Sequence, residues 1–374
     1  MKRIAIIGAN APLVPFYRHA REYGYYIVGI AWAEGAVCKQ YCDKFYPISF
    51  SDKEAVLKVC QEEHVDGITS FSLESALPTV IYVAQKLGLV SNSEACLELT
   101  TNKFTMRKAF ENAGIPVPRY NLIQNKDELQ TIDVRYPAII KPVDSGGSQG
   151  VNKVANLSEL VEAYDYACDH SRTHTAIVEE FVDGREFSVE YLSCKGHHYH
   201  LQITDKVTSD APHFVEMQHH QPANIPSETA EAIKNMVEKA LTALKIENSP
   251  SHTEIKLNSR GELYIIEIGA RMGGDYITSD LVRLSTGYDM VKGAMELATN
   301  QFVQPEKNEQ HYSGVYFYSK LAPHIGEVIR NKEKYPMIVE SEYLCEEKEL
   351  PEINSNADRG GYFLYQDDNK RFEI

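Results

Sequence analysis

Thr253-Glu254-Ile255-Lys256-Leu257, the turn Asn258-Ser259-Arg260-Gly261, and Glu262-Leu263-Tyr264-Ile265-Ile266-Glu267-Ile268-Gly269-Ala270-Arg271 decide the fold. Apolar residues alternate with polar ones on both sides of an Asn/Gly turn, the pattern of a β-hairpin. Pairing Leu257 with Glu262 sets residue 254 opposite 265, and the two-residue period then makes Glu267 a diagonal neighbour of Glu254 on the same face. Two carboxylates at a Cα spacing of about 7–8 Å can converge on one or two Mg²⁺ ions, hard cations that take oxygen ligands and keep phosphate oxygens in their shell. Arg271, two pleats beyond Glu267, would meet a developing phosphate or oxyanion charge. The same alternation also fits the solvated polar face of an ordinary hairpin, so the segments upstream have to be weighed with it.

The first of these is Pro137-Ala-Ile-Ile-Lys141-Pro142-Val-Asp-Ser145-Gly146-Gly147-Ser148-Gln-Gly150-Val151, a strand ending in lysine and followed by a loop of small residues. Glycines let backbone N–H groups approach phosphate oxygens, and the lysine adds a point charge. No Gly-Lys-Ser/Thr opens a helix after the loop, so it is not a Walker A motif; a mobile hairpin over phosphates fits better, with a plain surface hairpin as the alternative. Next, Ala176-Ile-Val-Glu179-Glu180-Phe181-Val182-Asp183-Gly184-Arg185-Glu186 turns at Asp-Gly, where backbone groups can meet an adenine edge and Glu186 the ribose hydroxyls. His197-His198-Tyr199-His200 looks like a metal cluster, but a strand would split it between two faces, which favours an exposed hairpin. His219, after Glu216, suits a structural role or a substrate contact.

The N-terminal part alternates strands (Arg3–Ile7, Tyr26–Ala31, 67–71) with helices over 17–23 and 54–63, which implies a parallel sheet. Ligands of such sheets sit beyond the carboxyl ends of strands, here Gly8-Ala9-Asn10 and Ser72-Leu73-Glu74. The first turn lacks GxGxxG, which counts against a dinucleotide site. A helix led by Thr101-Asn102-Lys103 ends near Gly114, and Ile115-Pro116-Val117-Pro118 forces an extended linker. The expected organisation is a Rossmann-like domain over 1–98, a helix and linker over 99–118, an α+β lid over 119–185, a mixed-sheet catalytic part over 186–312 with helices over 227–244 and 287–300, and a strand-rich segment over 313–374. The fold class is therefore α/β and α+β, multi-domain.

Composition narrows the function classes. A chain of 374 residues with 43% hydrophobic and 24% charged residues is typical of soluble globular proteins, with no apolar run long enough for a membrane span. Its formal net charge of −15 opposes binding to a phosphodiester backbone, whereas a few lysines and metal ions in a cleft still admit a small anion. Seven cysteines without a CxxC pair indicate neither a disulfide framework nor a zinc knuckle, which points to a reduced, cytoplasmic setting.

In order along the chain, Asn102-Lys103, Lys141 with its glycine loop, Glu179 to Glu186, Glu254, and Glu267-Ile-Gly-Ala-Arg271 resemble the ATP-grasp superfamily of carboxylate-amine ligases over essentially the whole length. Ile203-Thr-Asp-Lys206, His213-Phe-Val-Glu216, His219 and Pro222 resemble the L-amino-acid (dipeptide) ligase branch and, more loosely, the biotin-carboxylase-like group. The resemblance implies that Lys103 and Lys141 contact the ATP phosphates under the loop Ser145, Gly146, Gly147 and Ser148, and that Glu179, Glu180, Phe181 and Val182 line the adenine, with Glu186 at the ribose. It implies Mg²⁺ on Glu254 and Glu267, one or two ions with Mn²⁺ as a substitute, and Lys141, Lys206 and Arg271 as catalytic residues. Glu74, Glu216, His219, Arg271, Gly273 and Gly274 would face the substrates, a small-molecule carboxylate and an amine, and similar proteins are commonly homodimers. Two departures stand out: Gly269 replaces the Asn of many relatives, a feature shared with the dipeptide branch, and Gln218 replaces the glycine of that branch's Glu-x-Gly-His pattern. The implied chemistry is amide formation through an acyl phosphate. Alternatives are another acceptor such as ammonia or an amino sugar, bicarbonate as the acid, or a non-catalytic nucleotide-binding module.

Overall fold

The computed structural model describes residues 1–147, 149–209 and 214–374, which form three sheets. The first is parallel, in the order Lys44–Pro47, Tyr26–Ala31, Arg3–Ile7, Gly67–Thr69. Ile4, Ile6 and Ile27 point into one apolar core and Ala5, Ile7, Val28 and Ile30 into another, so both faces are covered, as a parallel sheet requires. Helices Val14–Glu22, Lys53–Glu62 and Leu77–Leu87 supply the cover. The strand expected over 67–71 ends at Thr69, and the chain then turns so that Glu74 lies at the carboxyl edge of the sheet. Lys44–Pro47 adds an edge strand whose Lys-Phe-Tyr-Pro has too little apolar alternation to be read in advance.

Asn102 then caps helix Lys103–Asn112, its side-chain oxygen accepting from the backbone of Phe104 and Thr105. The cap fixes Lys103 at the first helical position, where its own backbone N–H donates to Val143 O. A second sheet follows, antiparallel, in the order Tyr120–Ile123, Ala176–Glu180, Ala138–Pro142, Asn152–Val154. Helix Leu157–Asp169 covers it, packing Leu160, Tyr164 and Ala167 with Ile123, Ala138, Ile140 and Val178.

The third sheet has eight strands in the order Leu263–Gly269, Ser249–Leu257, Arg185–Cys194, His197–Thr208, Glu216–Gln221, Tyr312–Tyr318, Gly361–Asp367, Ile338–Tyr343. The expected mixed sheet is corrected here, because each of its pairings is antiparallel. Tight hairpins such as Cys194 to His197 join neighbours directly, and such connections cannot link parallel strands. The last three strands of this order continue the ladder of the segment before them. Helices Ser227–Ala243 and Met290–Ala298 lie within the expected ranges.

The register of the decisive hairpin also differs from expectation. Asn258 makes an Asx turn, its side chain accepting from the backbone of Arg260 and Glu262, and this pairs Leu257 with Leu263 rather than Glu262. A bulge between Glu254 and Ile255 then places Glu254 directly opposite Glu267, not diagonal to it. His198 is occupied by Ser193 and Thr242 and His200 packs on Tyr191, so these histidines serve the strand rather than a common ion.

Candidate active site

Strand Ala138–Pro142 delivers Lys141 against Glu179 of the neighbouring strand, Nζ to Oε2 2.7 Å. Burial works against the Glu179 charge, but Arg107 and Lys141 outweigh it and hold the carboxyl down at about 2. Burial lowers the Lys141 ammonium, Glu179 opposes this, and Arg107 and Lys103 add to it. The Glu179 carboxylate is thus committed to the interior. Glu180 pairs with Arg135, and the Phe181 ring carries Lys153 Nζ at 3.8 Å from its centroid.

Lys103 is buried and donates to Glu267 Oε1 at 2.8 Å and to Ser145 O at 2.7 Å, so one ammonium joins the glycine loop to the C-terminal hairpin. At the loop tip, a Cβ on Gly146 would stand 3.4 Å from Glu74 Oε2. Glu74 itself lies 3.9 Å from Arg271. Burial and the Glu267 charge raise the Glu74 carboxyl, against Arg271 and Lys103. Ser148 falls outside the described residues, as does His213.

Lys206 is the second node. With its side chain 1% exposed, it meets Glu216 at 2.8 Å, Glu254 at 2.8 Å and Glu186 at 3.1 Å. Burial alone would lower this ammonium; Glu216, Glu254 and Glu186 reverse that and raise it well above the ordinary lysine range. Glu254 is opposed by burial too, yet Lys206 and His252 hold it well below the usual carboxylate range. His252 in turn rests on the fully buried Glu190, Nδ1 to Oε1 2.7 Å. Gly273 closes on this histidine so tightly that a Cβ would stand 2.6 Å from His252 Nδ1, which accounts for glycine there; Gly274 has open space around it.

Beyond Lys206 lies a wall that the sequence reading named only in part. Glu216 Oε2 is near His219 Nε2 at 3.6 Å and Asn356 Nδ2 at 3.2 Å, and Arg359 donates to the Glu216 backbone oxygen at 2.6 Å. Arg359 also pairs with Asp275 at 3.1 Å and covers the Phe317 ring. Burial raises the Asp275 carboxyl to about 7, Arg359 opposing and Glu216 assisting. His219 is fully buried, and neither ring nitrogen has a hydrogen-bond partner among the described residues.

Two groups could hold a metal. Glu216, His219 and Asp275 each bring a ligand atom within 4.8 Å of the others, but both Glu216 oxygens are already engaged. Glu254 and Glu267 each use only Oε1 toward their lysines, so among the described residues two facing carboxylates keep Oε2 open, an oxygen donor set suited to a hard divalent cation.

Arg107, Asp275, Arg359, His252 and Glu190 are absent from the sequence reading. Arg107 carried a usable signal, since it follows Lys103 by four residues and shares its helix face. His252 stands two residues before Glu254, Glu190 four after Glu186 and Asp275 directly after Gly274, whereas Arg359 is remote in sequence from the rest of the site.

A family model of the ATP-grasp domain matches residues 134–280. The alanine–anticapsin ligase of Bacillus subtilis strain 168 is 24% identical over 245 residues, covering 59% of this chain and 51% of that protein. The L-amino acid ligase from Bacillus licheniformis superposes with a TM-score of 0.79 at 24% identity, covering 98% of this chain and 93% of that one. The N5-carboxyaminoimidazole synthetase from Staphylococcus aureus, complexed with ADP, also gives 0.79, at 17% identity and 99% and 94% coverage. The chain spans about half the length of several of the curated relatives it matches. No helix among the described residues is long and apolar enough to cross a membrane. The match to the ATP-grasp domain over residues 134–280 thus lies within a chain whose whole length shares the fold of these solved structures.

Proposed function

We propose that the protein is an ATP-dependent carboxylate-amine ligase that forms an amide or peptide bond through an acyl phosphate and uses an amino acid as a substrate. The observation that carries this reading is that Lys103, Lys141, Glu254 and Glu267, from four separate strands and helices, meet in neighbouring ion pairs, with Arg271 and Glu74 paired alongside. A carboxylate resists attack because oxide is a poor leaving group, and phosphorylation by ATP supplies a better one. Lys103 and Lys141 neutralise the phosphates, the glycine loop covers them, and residues 180–182 with Glu186 receive the nucleoside. Glu254 and Glu267 hold Mg²⁺, which supplies Lewis-acid neutralisation of phosphate charge when bound. Arg271 meets the charge that grows on the acyl phosphate, and the wall of Glu216, His219 and Asp275 receives the amine. Closure of the glycine loop over the cleft excludes water that would hydrolyse the intermediate.

The amino-acid preference draws on the likeness to the alanine–anticapsin and L-amino acid ligases and on the acidic wall, which suits an ammonium group. The test is ADP release with ATP, Mg²⁺ and a matrix of amino-acid pairs and other acids and amines, using Glu267→Gln as the blank. The expected result is pair-dependent ADP with a condensed product by mass spectrometry, and ¹⁸O passing from a labelled carboxylate into phosphate. Nucleotide turnover that leaves the label in the acid would contradict the acyl phosphate.

A further inference from the structure

We propose that Arg107 is a positioning residue for Lys141: by neutralising Glu179 it leaves the Lys141 ammonium as the uncompensated charge of a buried triad, ready to exchange its carboxylate partner for a phosphate. This rests on the nucleotide-binding reading of the cleft and adds a residue to it that does not itself reach the ligand.

Arg107 is 0% exposed on helix Lys103–Asn112. Its Nε lies 2.7 Å from Glu179 Oε1, and one terminal nitrogen donates to Glu179 Oε2 at 3.1 Å and to Ile266 O at 2.7 Å. Lys141 Nζ shares the same Oε2 at 2.7 Å. Two cations therefore divide one buried carboxylate. Of the other acids near this cluster, Glu267 is already paired with Lys103 and Glu74 faces Arg271. An unmatched buried charge is unfavourable unless something arrives to meet it, and here the arriving group is an anion. Arg107 is held by three contacts to the protein, so the surplus resides on Lys141, whose one anionic partner among the described residues is exchangeable. Without Arg107, Glu179 would belong to Lys141 alone, and a phosphate would have to compete with a full ion pair. The Ile266 contact also ties this arrangement to the strand that carries Glu267, so lysine and metal ligand keep a common frame.

A structural brace would behave differently from a charge donor, and variants of the full chain separate the two. Binding of a fluorescent N-methylanthraniloyl ADP in Mg²⁺ buffer is the readout, with thermal unfolding followed in parallel. Arg107→Met is expected to weaken binding about tenfold or more, and the same substitution in a Lys141→Met background to cost less than about twofold. The pair Arg107→Met/Glu179→Gln, which removes one charge of each sign, is expected to recover binding to within about threefold of the unsubstituted protein. Should Arg107→Met fail to fold, the paired variant still decides: it must bind, and adding Lys141→Met must weaken that binding about tenfold or more. Unchanged affinity in Arg107→Met, full additivity with Lys141→Met, or a paired variant that stays weak while folded would overturn the role of Arg107. Absence of nucleotide binding in the unsubstituted protein would instead remove the ligase reading, and this proposal with it.

Discussion

Glu254 and Glu267 face each other across the ladder of the C-terminal hairpin, and each lends one oxygen to a lysine from another segment, Lys206 and Lys103 respectively, at 2.8 Å. Under the proposed function the remaining oxygens would hold Mg²⁺. Glu254→Gln and Glu267→Gln should each lower ADP release about a hundredfold or more and raise the Mg²⁺ concentration needed for half-maximal rate. A steady-state Mg²⁺ titration of each variant checks this; a rate loss with no change in metal dependence would place the carboxylates elsewhere in the chemistry.

Lys206 holds three carboxylates together while almost fully buried. Lys206→Met should destabilise the fold by about 3 kcal/mol or more, because removing one partner strands the others with uncompensated charge. Urea unfolding at neutral pH reads this directly, and addition of Mg²⁺ should restore part of the loss, since the ion returns positive charge to Glu254.

Acid should weaken the molecule through Glu179. Its carboxyl sits at about 2 in the folded chain, below its ordinary value of 4.5, so the stabilisation is present above the ordinary value and is lost as pH falls toward 2. In Arg107→Met/Glu179→Gln the slope of unfolding free energy against pH between about 5 and 3 should be shallower than in the unsubstituted chain.

His19 provides the opposite sign. It bridges Asp289 at 2.8 Å and Asp280 at 3.4 Å, which outweigh burial and raise it from 6.5 to about 9. That stabilisation is complete below the ordinary histidine value and disappears as pH rises through about 9, so His19→Gln should cost about 2 kcal/mol at pH 6 and much less at pH 10. Chemical unfolding of both proteins at the two pH values checks it, and equal losses at both would show that the ring acts by packing.

Much of this architecture is legible in the sequence because local patterns dictate it. Arg3–Ile7 and Tyr26–Ala31 are apolar on both faces, and Ala176–Glu180 is bounded by turn residues, so their ends coincide with expectation. The hairpin register is not legible, since it depends on the Asn258 side chain and a bulge at Glu254, neither of which leaves a period in the sequence. The wall of Asp275 and Arg359 is hidden for a different reason: 84 residues separate the partners, and only the ladder joining Glu216–Gln221, Tyr312–Tyr318 and Gly361–Asp367 brings them together. The resemblance places Glu179 beside the adenine, and its carboxylate faces Arg107 and Lys141 in the interior, a contact that no local pattern announces.

Calorimetric titration of ADP into the full chain, with Mg²⁺ and then with EDTA, tests the central claim most directly. Binding should be at least about tenfold tighter with Mg²⁺, and the Mg²⁺ advantage should vanish in the Glu254→Gln/Glu267→Gln variant while the weak metal-free binding persists. Equal affinity with and without the ion, or an Mg²⁺ advantage that survives loss of both carboxylates, would contradict a metal-bridged nucleotide at this hairpin.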